Sequence, residues 1–264
     1  MKRTATPLLG LSCGLAATAL LSLSCSLAAS AHAQRAVPVA NEPHHHSVYT
    51  DERLRVFRVD VPAHSTTMLH EHAVDYFWIA VGSSEFVNAV REASEVKVVA
   101  QDGSVHFTRG GFAHLARVDG DRAFQNVTLE LPQVQTNPRN LCEAVLQGQP
   151  LDCEEAMTRT AGLFSGAGAR PEFETDQVRV TLLTMAPGAR LAIARRTRPL
   201  VLVSVDDAAG ALPVTCALAG RPKRLPLQSR SGNAYRLAGR GPCSVRNATG
   251  ASVRFLAIEF AAAR

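Results

Sequence analysis

The strongest constraint on this 264-residue chain is that its two halves repeat one pattern of short apolar segments. Residues 54–62 (LRVFRVDVP) and 178–187 (VRVTLLTMAP) open the halves alike. Each is followed by a polar stretch and then an apolar run, 76–81 (YFWIAV) and 200–205 (LVLVSV). Each half closes on 124–131 (FQNVTLEL) or 253–260 (VRFLAIEF), with a glutamate next to last, Glu130 and Glu259. Runs this short, rich in Val, Leu, Ile and Phe and punctuated by Gly, Pro and Asp, are strands of a sandwich or barrel. The chain is therefore read as all-β, with one barrel over 44–132, a linker over 133–173 and a second barrel over 174–264. Helical periodicity of useful length is confined to that linker, where residues 140–159 fit one or two turns.

The N-terminus reads as an address. A basic start, an apolar stretch from about Leu8 to Leu27 and the ending Ala31-His32-Ala33 match a secretory signal peptide, so residues 1–33 are expected to be removed on export. A membrane anchor fits less well, because Gly, Ser, Thr and Cys interrupt the stretch; no later stretch is apolar enough to span a bilayer. Cleavage removes Lys2 and Arg3 and lowers the formal net charge from +5 to +3. Arginine dominates the basic residues, lysine being confined to Lys2, Lys97 and Lys223, which fits a GC-rich bacterial coding bias. There is no basic stripe interleaved with aromatics, so no nucleic-acid partner is expected. The expected setting is the periplasm or the exterior of a bacterium, with a small molecule as ligand and no membrane after cleavage.

Cysteine usage agrees with export. Cys13 and Cys25 fall in the signal, leaving Cys142, Cys153, Cys216 and Cys243. An even number in an exported chain favours disulfides, and the spacing lacks the C-x2-C pairs of zinc sites. Of three possible pairings, Cys142–Cys153 with Cys216–Cys243 is the simplest. Closing the shorter loop contributes about 2–3 kcal/mol in the chain-entropy picture.

The histidines carry the chemistry. All those beyond the signal lie at or before position 114. His70 and His72 are two apart, so on a strand they share a face. His114 follows 109–113 (RGGFA), a turn opening into a strand, and supplies a third imidazole; such a set suits Zn, Fe, Ni, Cu or Mn. His44–His46 fit an extra metal site or a gate over the barrel, though a polar lead-in to the first strand is the plainer reading, and His64 and His106 read as ordinary loop or strand residues.

The order His70-x-His72, Asp75, Gly82, then Gly110, Gly111 and His114 resembles the two motifs of the cupin family, G-x5-H-x-H-x3,4-E-x6-G and G-x5-P-x-G-x2-H-x3-N. The resemblance covers residues 48–131 and implies a small jelly-roll barrel holding one divalent metal ion (Mn, Fe, Ni, Cu or Zn) through three histidines and a carboxylate. Three positions depart from the motifs: Ala63 replaces the first glycine, Val118 the asparagine, and the acidic position is ambiguous. Counting forward from His72 the slot falls on Tyr76; counting back from Gly82 it falls on Asp75, which is slightly preferred. The implied ligand set is His70, His72, Asp75 and His114, with Tyr76, Trp78 and Phe107 as pocket residues.

In the second half, 237–250 (LAGRGPCSVRNATG) resembles the second motif with Cys243 in the histidine slot and Asn247 in the asparagine slot. Arg195 and Thr197 take the places of His70 and His72. The second barrel is thus expected to have lost its metal site, with a Cys216–Cys243 bridge across its interior. An inward Arg195 would need an anion or carboxylate beside it; a solvated rim is the plainer reading. Asn126-Val-Thr and Asn247-Ala-Thr match the glycosylation pattern and are read as accidental. The expectation for function is a metal-dependent dioxygenase or oxidase acting on a small organic substrate; the alternative is a non-catalytic binding or structural module.

Overall fold

Strict alternation in the strand Phe124–Glu130 shows how the molecule is built. Phe124, Asn126, Thr128 and Glu130 point into the first barrel, while Val127 and Leu129 join an apolar core shared with the second half. The computed structural model describes residues 35–218, 221–237 and 241–261. The expected signal peptide lies outside them.

Residues 37–130 supply two five-stranded sheets. One runs, in hydrogen-bonded order, Val37–Pro38, His70–His72, Phe112–Arg117, Ser84–Val90 and Val96–Ala100. The other runs His45–Thr50, Arg55–Val61, Phe124–Glu130, Tyr76–Ala80 and Val105–Thr108. Residues 139–260 repeat the design with sheets of six and five strands. The fold is all-β, two barrels of two sheets each, as the matching halves predict.

The stretch 133–173, expected as a linker, is largely built into the second barrel. Arg139–Asn140, Phe164–Ser165 and Gly168–Glu174 pair within its sheets, and the helix Cys153–Ala161 packs beside them. A helix is present there because Glu154 and Glu155 favour its N-terminal end and Arg159 its last turn. Upstream, Val37–Pro38 pairs in parallel with the His70–His72 strand, so the first barrel reaches back beyond residue 44.

The barrels meet face to face. Phe77, Ile79, Val127 and Leu129 from one side pack with Phe173, Val178, Val180, Val201, Leu256 and Ile258 from the other, and the Phe77 and Phe173 rings cross edge-to-face at 5.1 Å. Inter-barrel packing therefore takes one face of each central strand and leaves the opposite face for the barrel interior.

The two interiors diverge at matched positions. Where the first barrel turns Asn126 and Thr128 inward, the second turns Phe255 and Ala257; where the first has Tyr76 and Trp78, the second has Leu200 and Leu202. Leu191, Leu212, Val214 and Val245 fill the remaining space in the second barrel. Cys216 and Cys243 are bonded there and buried, but they are direct partners on adjacent strands, so the bridge lies within one sheet and does not cross the interior. Arg195 is exposed. Its neighbour Arg196 is the inward one, donating to the carbonyls of Gly241 and Leu237 at 2.9 and 3.0 Å. Asn247 holds a turn by donating to the carbonyls of Met185, Ala186 and Ala251, and both apparent glycosylation asparagines, Asn126 and Asn247, are buried.

Two consequences can be measured. Phe173→Ala removes a fully buried ring from the shared core and should cost about 3–5 kcal/mol in urea unfolding; a loss below about 1 kcal/mol would show that the barrels do not depend on this contact. Burial pushes the Glu172 carboxyl up to about 7, with Arg170 only partly opposing it. A carboxyl raised in the folded state costs nothing below its ordinary value of 4.5; stability falls as pH rises from there through the folded value of about 7 and stays lost above it. Glu172→Gln should therefore raise the melting temperature at pH 8 and lose that advantage near pH 4.5.

Candidate metal centre

Four imidazoles gather at one end of the first barrel's interior. His70 and His72 project inward from the short strand His70–His72, and His114 is the direct partner of His70 across the neighbouring strand. The fourth is His45. It pairs with Val59, an inward residue of Arg55–Val61, and so shares its face. His45, His70 and His72 each offer a ring nitrogen, and these three atoms lie within 4.8 Å of one another. The His114 ring centre is 4.5 Å from that of His70 and 5.5 Å from that of His72.

Each ring is oriented from behind through Nδ1. His45 Nδ1 meets Glu42 Oε2 at 2.6 Å, His70 Nδ1 the Met68 carbonyl at 2.8 Å, His72 Nδ1 Glu130 Oε1 at 3.2 Å, and His114 Nδ1 Asn88 Oδ1 at 2.7 Å. These partners accept, so every Nδ1 carries the proton and every Nε2 keeps its lone pair. Nε2 of His70 and of His114 is buried without a hydrogen-bond partner. Histidines held in this way could hold a metal ion.

Electrostatics agree. Burial and the neighbouring imidazoles push His70 down to about 3 and His114 to about 2, and burial lowers His45 despite the Glu42 carboxylate. These rings stay neutral at physiological pH, as metal ligation requires. Glu42 is held below the usual carboxylate range: burial alone would raise it, but His45 and the Met68 N–H outweigh that effect. The donor set of neutral nitrogens suits a divalent first-row ion and does not single one out.

Asp75 is not among the inward groups. It lies in the turn after the His70–His72 strand, accepting from Arg109 NH1 at 2.6 Å and from the Gly110 N–H at 3.1 Å. Parity explains this: Tyr76, Trp78 and Ala80 face the interior, so Asp75 shares the outward parity of Phe77 and Ile79. Its role is to fasten the Gly110-Gly111 turn that leads to His114. Gly110 is needed there, since a Cβ would come within 2.3 Å of the Val74 backbone. Gly111, at φ 88°, donates to the His72 carbonyl at 2.7 Å.

Tyr76 turns inward and stacks on the His72 ring at 4.0 Å; burial raises its phenol pKa, a hydrogen bond with Thr108 partly opposing the shift. Trp78 stacks on His106 at 4.1 Å. Phe107 touches the cavity but also packs toward Phe173 in the inter-barrel core. The imidazoles open onto a cavity of about 580 Å3, walled by Tyr76, Trp78, Phe86, His106, Phe112 and Phe124 with Asn88, Asn126 and Thr128 as polar points. Nothing in the sequence motifs marks Glu42 or Glu130, and His45 is there only one of three adjacent histidines, read more plainly as a lead-in to the first strand. The alternation of His45 with its strand neighbours was a faint signal, but only the pairing with Val59 fixes its face.

Duplicated two-sheet barrels, with a histidine cluster inside the first, define a two-barrel fold of the cupin type. No protein-family model matches the chain, and no curated protein matches it in sequence. Among solved structures it is similar to AerE from Microcystis aeruginosa, with a TM-score of 0.51 and 8% identity over 84% of this chain and 99% of that one. It is also similar to oxalate decarboxylase from Bacillus subtilis, with a TM-score of 0.51 and 12% identity over 79% of this chain and 69% of that one. At such identities the likeness is one of fold.

Substitutions separate the ligands from the turn. Glu42→Gln should weaken binding of a divalent ion about 10–100-fold, and His45→Ala at least as much. Asp75→Asn should leave metal affinity within a factor of about two, because it alters the turn and not a ligand. Titration with Zn2+ or Mn2+ after chelation measures all three; a loss confined to Asp75→Asn would reverse the assignment.

Proposed function

We propose that this chain is an exported, metal-dependent bicupin oxidoreductase, of the dioxygenase or oxidase type, acting on a small organic substrate in its first barrel. The observation that carries the reading is the cluster of His45, His70 and His72, each with a ring nitrogen within 4.8 Å of the others, together with the buried, unpartnered Nε2 atoms of His70 and His114, beside a cavity of about 580 Å3. Export is supported by the N-terminal sequence and by two disulfides, which suit an oxidising compartment. No helix among the described residues is long and apolar enough to cross a membrane. The similar Bacillus subtilis oxalate decarboxylase has Mn(II) centres, which supports a metal in this fold.

His45, His70, His72 and His114 would hold the ion through Nε2. A divalent ion so held supplies Lewis acidity and a template with open positions. The chain's own residues do the rest. Glu42 and Glu130 keep the proton on Nδ1 of His45 and His72, fixing ring orientation. Tyr76, whose raised pKa keeps it a phenol, presents Oη–H as a donor beside Thr108. Trp78, Phe86 and Phe124 give flat apolar walls that exclude water and orient a planar substrate, and Asn126 and Thr128 offer hydrogen bonds to its polar edge.

A second reading is a non-catalytic binding module in which the metal braces the barrel. It is favoured by one observation: both carboxylates beside the imidazoles are engaged, Glu42 by His45 and Glu130 by His72 and Arg55, so neither is a free general base. Oxygen consumption decides between them. Mn-, Fe-, Ni- and Cu-loaded forms, screened with phenolic and keto-acid substrates, should show turnover with at least one metal, abolished in His70→Ala. Silence across all metals, with one ion bound per chain, would favour the binding module.

A further inference from the structure

Four residues of the cavity wall come from beyond the last strand of the first barrel: Ala144, Val145, Leu146 and Gln147. They sit in the loop closed by the Cys142–Cys153 disulfide, which runs into the helix of the second half. Val145 is buried in the core shared by both barrels and anchors the loop, while Ala144 and Gln147 are exposed. The other exposed lining residues are Val96, Lys97 and Val99, at the edge strand of the first barrel. Wall residues that are also exposed mark the opening, so the mouth lies between that edge strand and the bridged loop.

The loop is held in one shape from within. Asn140, fully buried, donates from Nδ2 to the carbonyls of Leu146 and Gln149 at 2.8 and 3.2 Å and accepts the Leu146 N–H at 2.7 Å through Oδ1. The disulfide closes the same turn at its base, where both cysteines are half-buried. A loop this short, with its ends bonded and its middle hydrogen-bonded to one side chain, has few alternative shapes.

We propose that the Cys142–Cys153 loop is a size-selecting rim, contributed by the second half, that decides which molecules reach the histidine cluster of the first barrel. Held shut by the bridge and by Asn140, it admits compact ligands and turns away bulkier ones. The sequence motifs assign it no such role. The proposal rests on reading the cavity as the binding site, yet its test needs neither a substrate nor turnover.

Trp78 is the one tryptophan of the chain and lines this cavity, so its fluorescence reports access directly. Quenching by a bulky neutral probe, the nitroxide TEMPOL, should be measured on zinc-loaded protein, since Zn2+ has no redox chemistry of its own. In Cys142→Ser/Cys153→Ser the quenching constant should rise about twofold or more, because the freed loop samples open shapes. In Cys216→Ser/Cys243→Ser, whose sulfurs lie in the filled interior of the second barrel, it should not change. Unchanged quenching in the first variant, with a cooperative melt showing it folded, overturns the proposal. So does an equal rise in both variants, which would mean general loosening. Should Cys142→Ser/Cys153→Ser fail to fold, Asn140→Ala asks the same question: a rise supports the rim, no change refutes it. Zinc content of the same samples tests the metal site separately. A chain that binds no zinc but exposes Trp78 on losing the bridge would refute the metal reading and keep the rim.

Discussion

Burying four imidazoles together is tolerable only because each has an acceptor behind it. A buried polar group left unpaired costs about 1–3 kcal/mol, and a cluster of them would unfold a small barrel. Here Glu42, the Met68 carbonyl, Glu130 and Asn88 take the Nδ1 protons, and the residual cost falls on the Nε2 side. Nε2 of His70 and of His114 is buried without a partner among the described residues, which suits a ligand from outside the protein. The partners come from four separate segments, so the cluster exists only once the barrel has closed.

The second barrel shows the same architecture without that demand. Its matched positions are apolar, its interior is packed with Leu, Val and Phe, and a disulfide joins neighbouring strands where one histidine would stand. With no imidazoles inside, no buried acceptors are needed behind them, and apolar packing fills the space. What the second barrel retains is its outer face, the apolar surface against which the first barrel's central sheet rests. It also supplies the stretch between the barrels, which reaches back over the first barrel's mouth. Neither half is independent of the other: one face of Phe124–Glu130 serves the cavity, and the other serves the interface.

Ion pairs play a smaller part. Most are at the surface, such as Arg117 with Glu95 and Asp119, where solvent screening leaves little net stabilisation. Arg254 is different. It joins Asp206 of its own barrel to Asp102 of the other, at 3.0 Å to the latter, and so adds a specific contact at the edge of the apolar interface. Orientation between the barrels thus rests first on shape and buried area, with charge fixing the margin.

The sequence by itself pointed to the β class, the duplication and three members of the histidine cluster, through alternation, matched segments and the i and i+2 spacing of His70 and His72. It left three disulfide pairings open, of which the simplest is the one formed. Tertiary structure alone decided the fourth imidazole, because which way His45 faces depends on its pairing with Val59 in a strand that lies elsewhere in the chain. It also decided between Asp75 and Tyr76. The two stand at a turn where one residue of register reverses every side chain, and only the packing of Phe77 and Ile79 against the second barrel sets that register. The place of residues 144–147 at the cavity mouth is likewise invisible in sequence, since contacts between halves depend on how two barrels dock and not on any spacing along the chain.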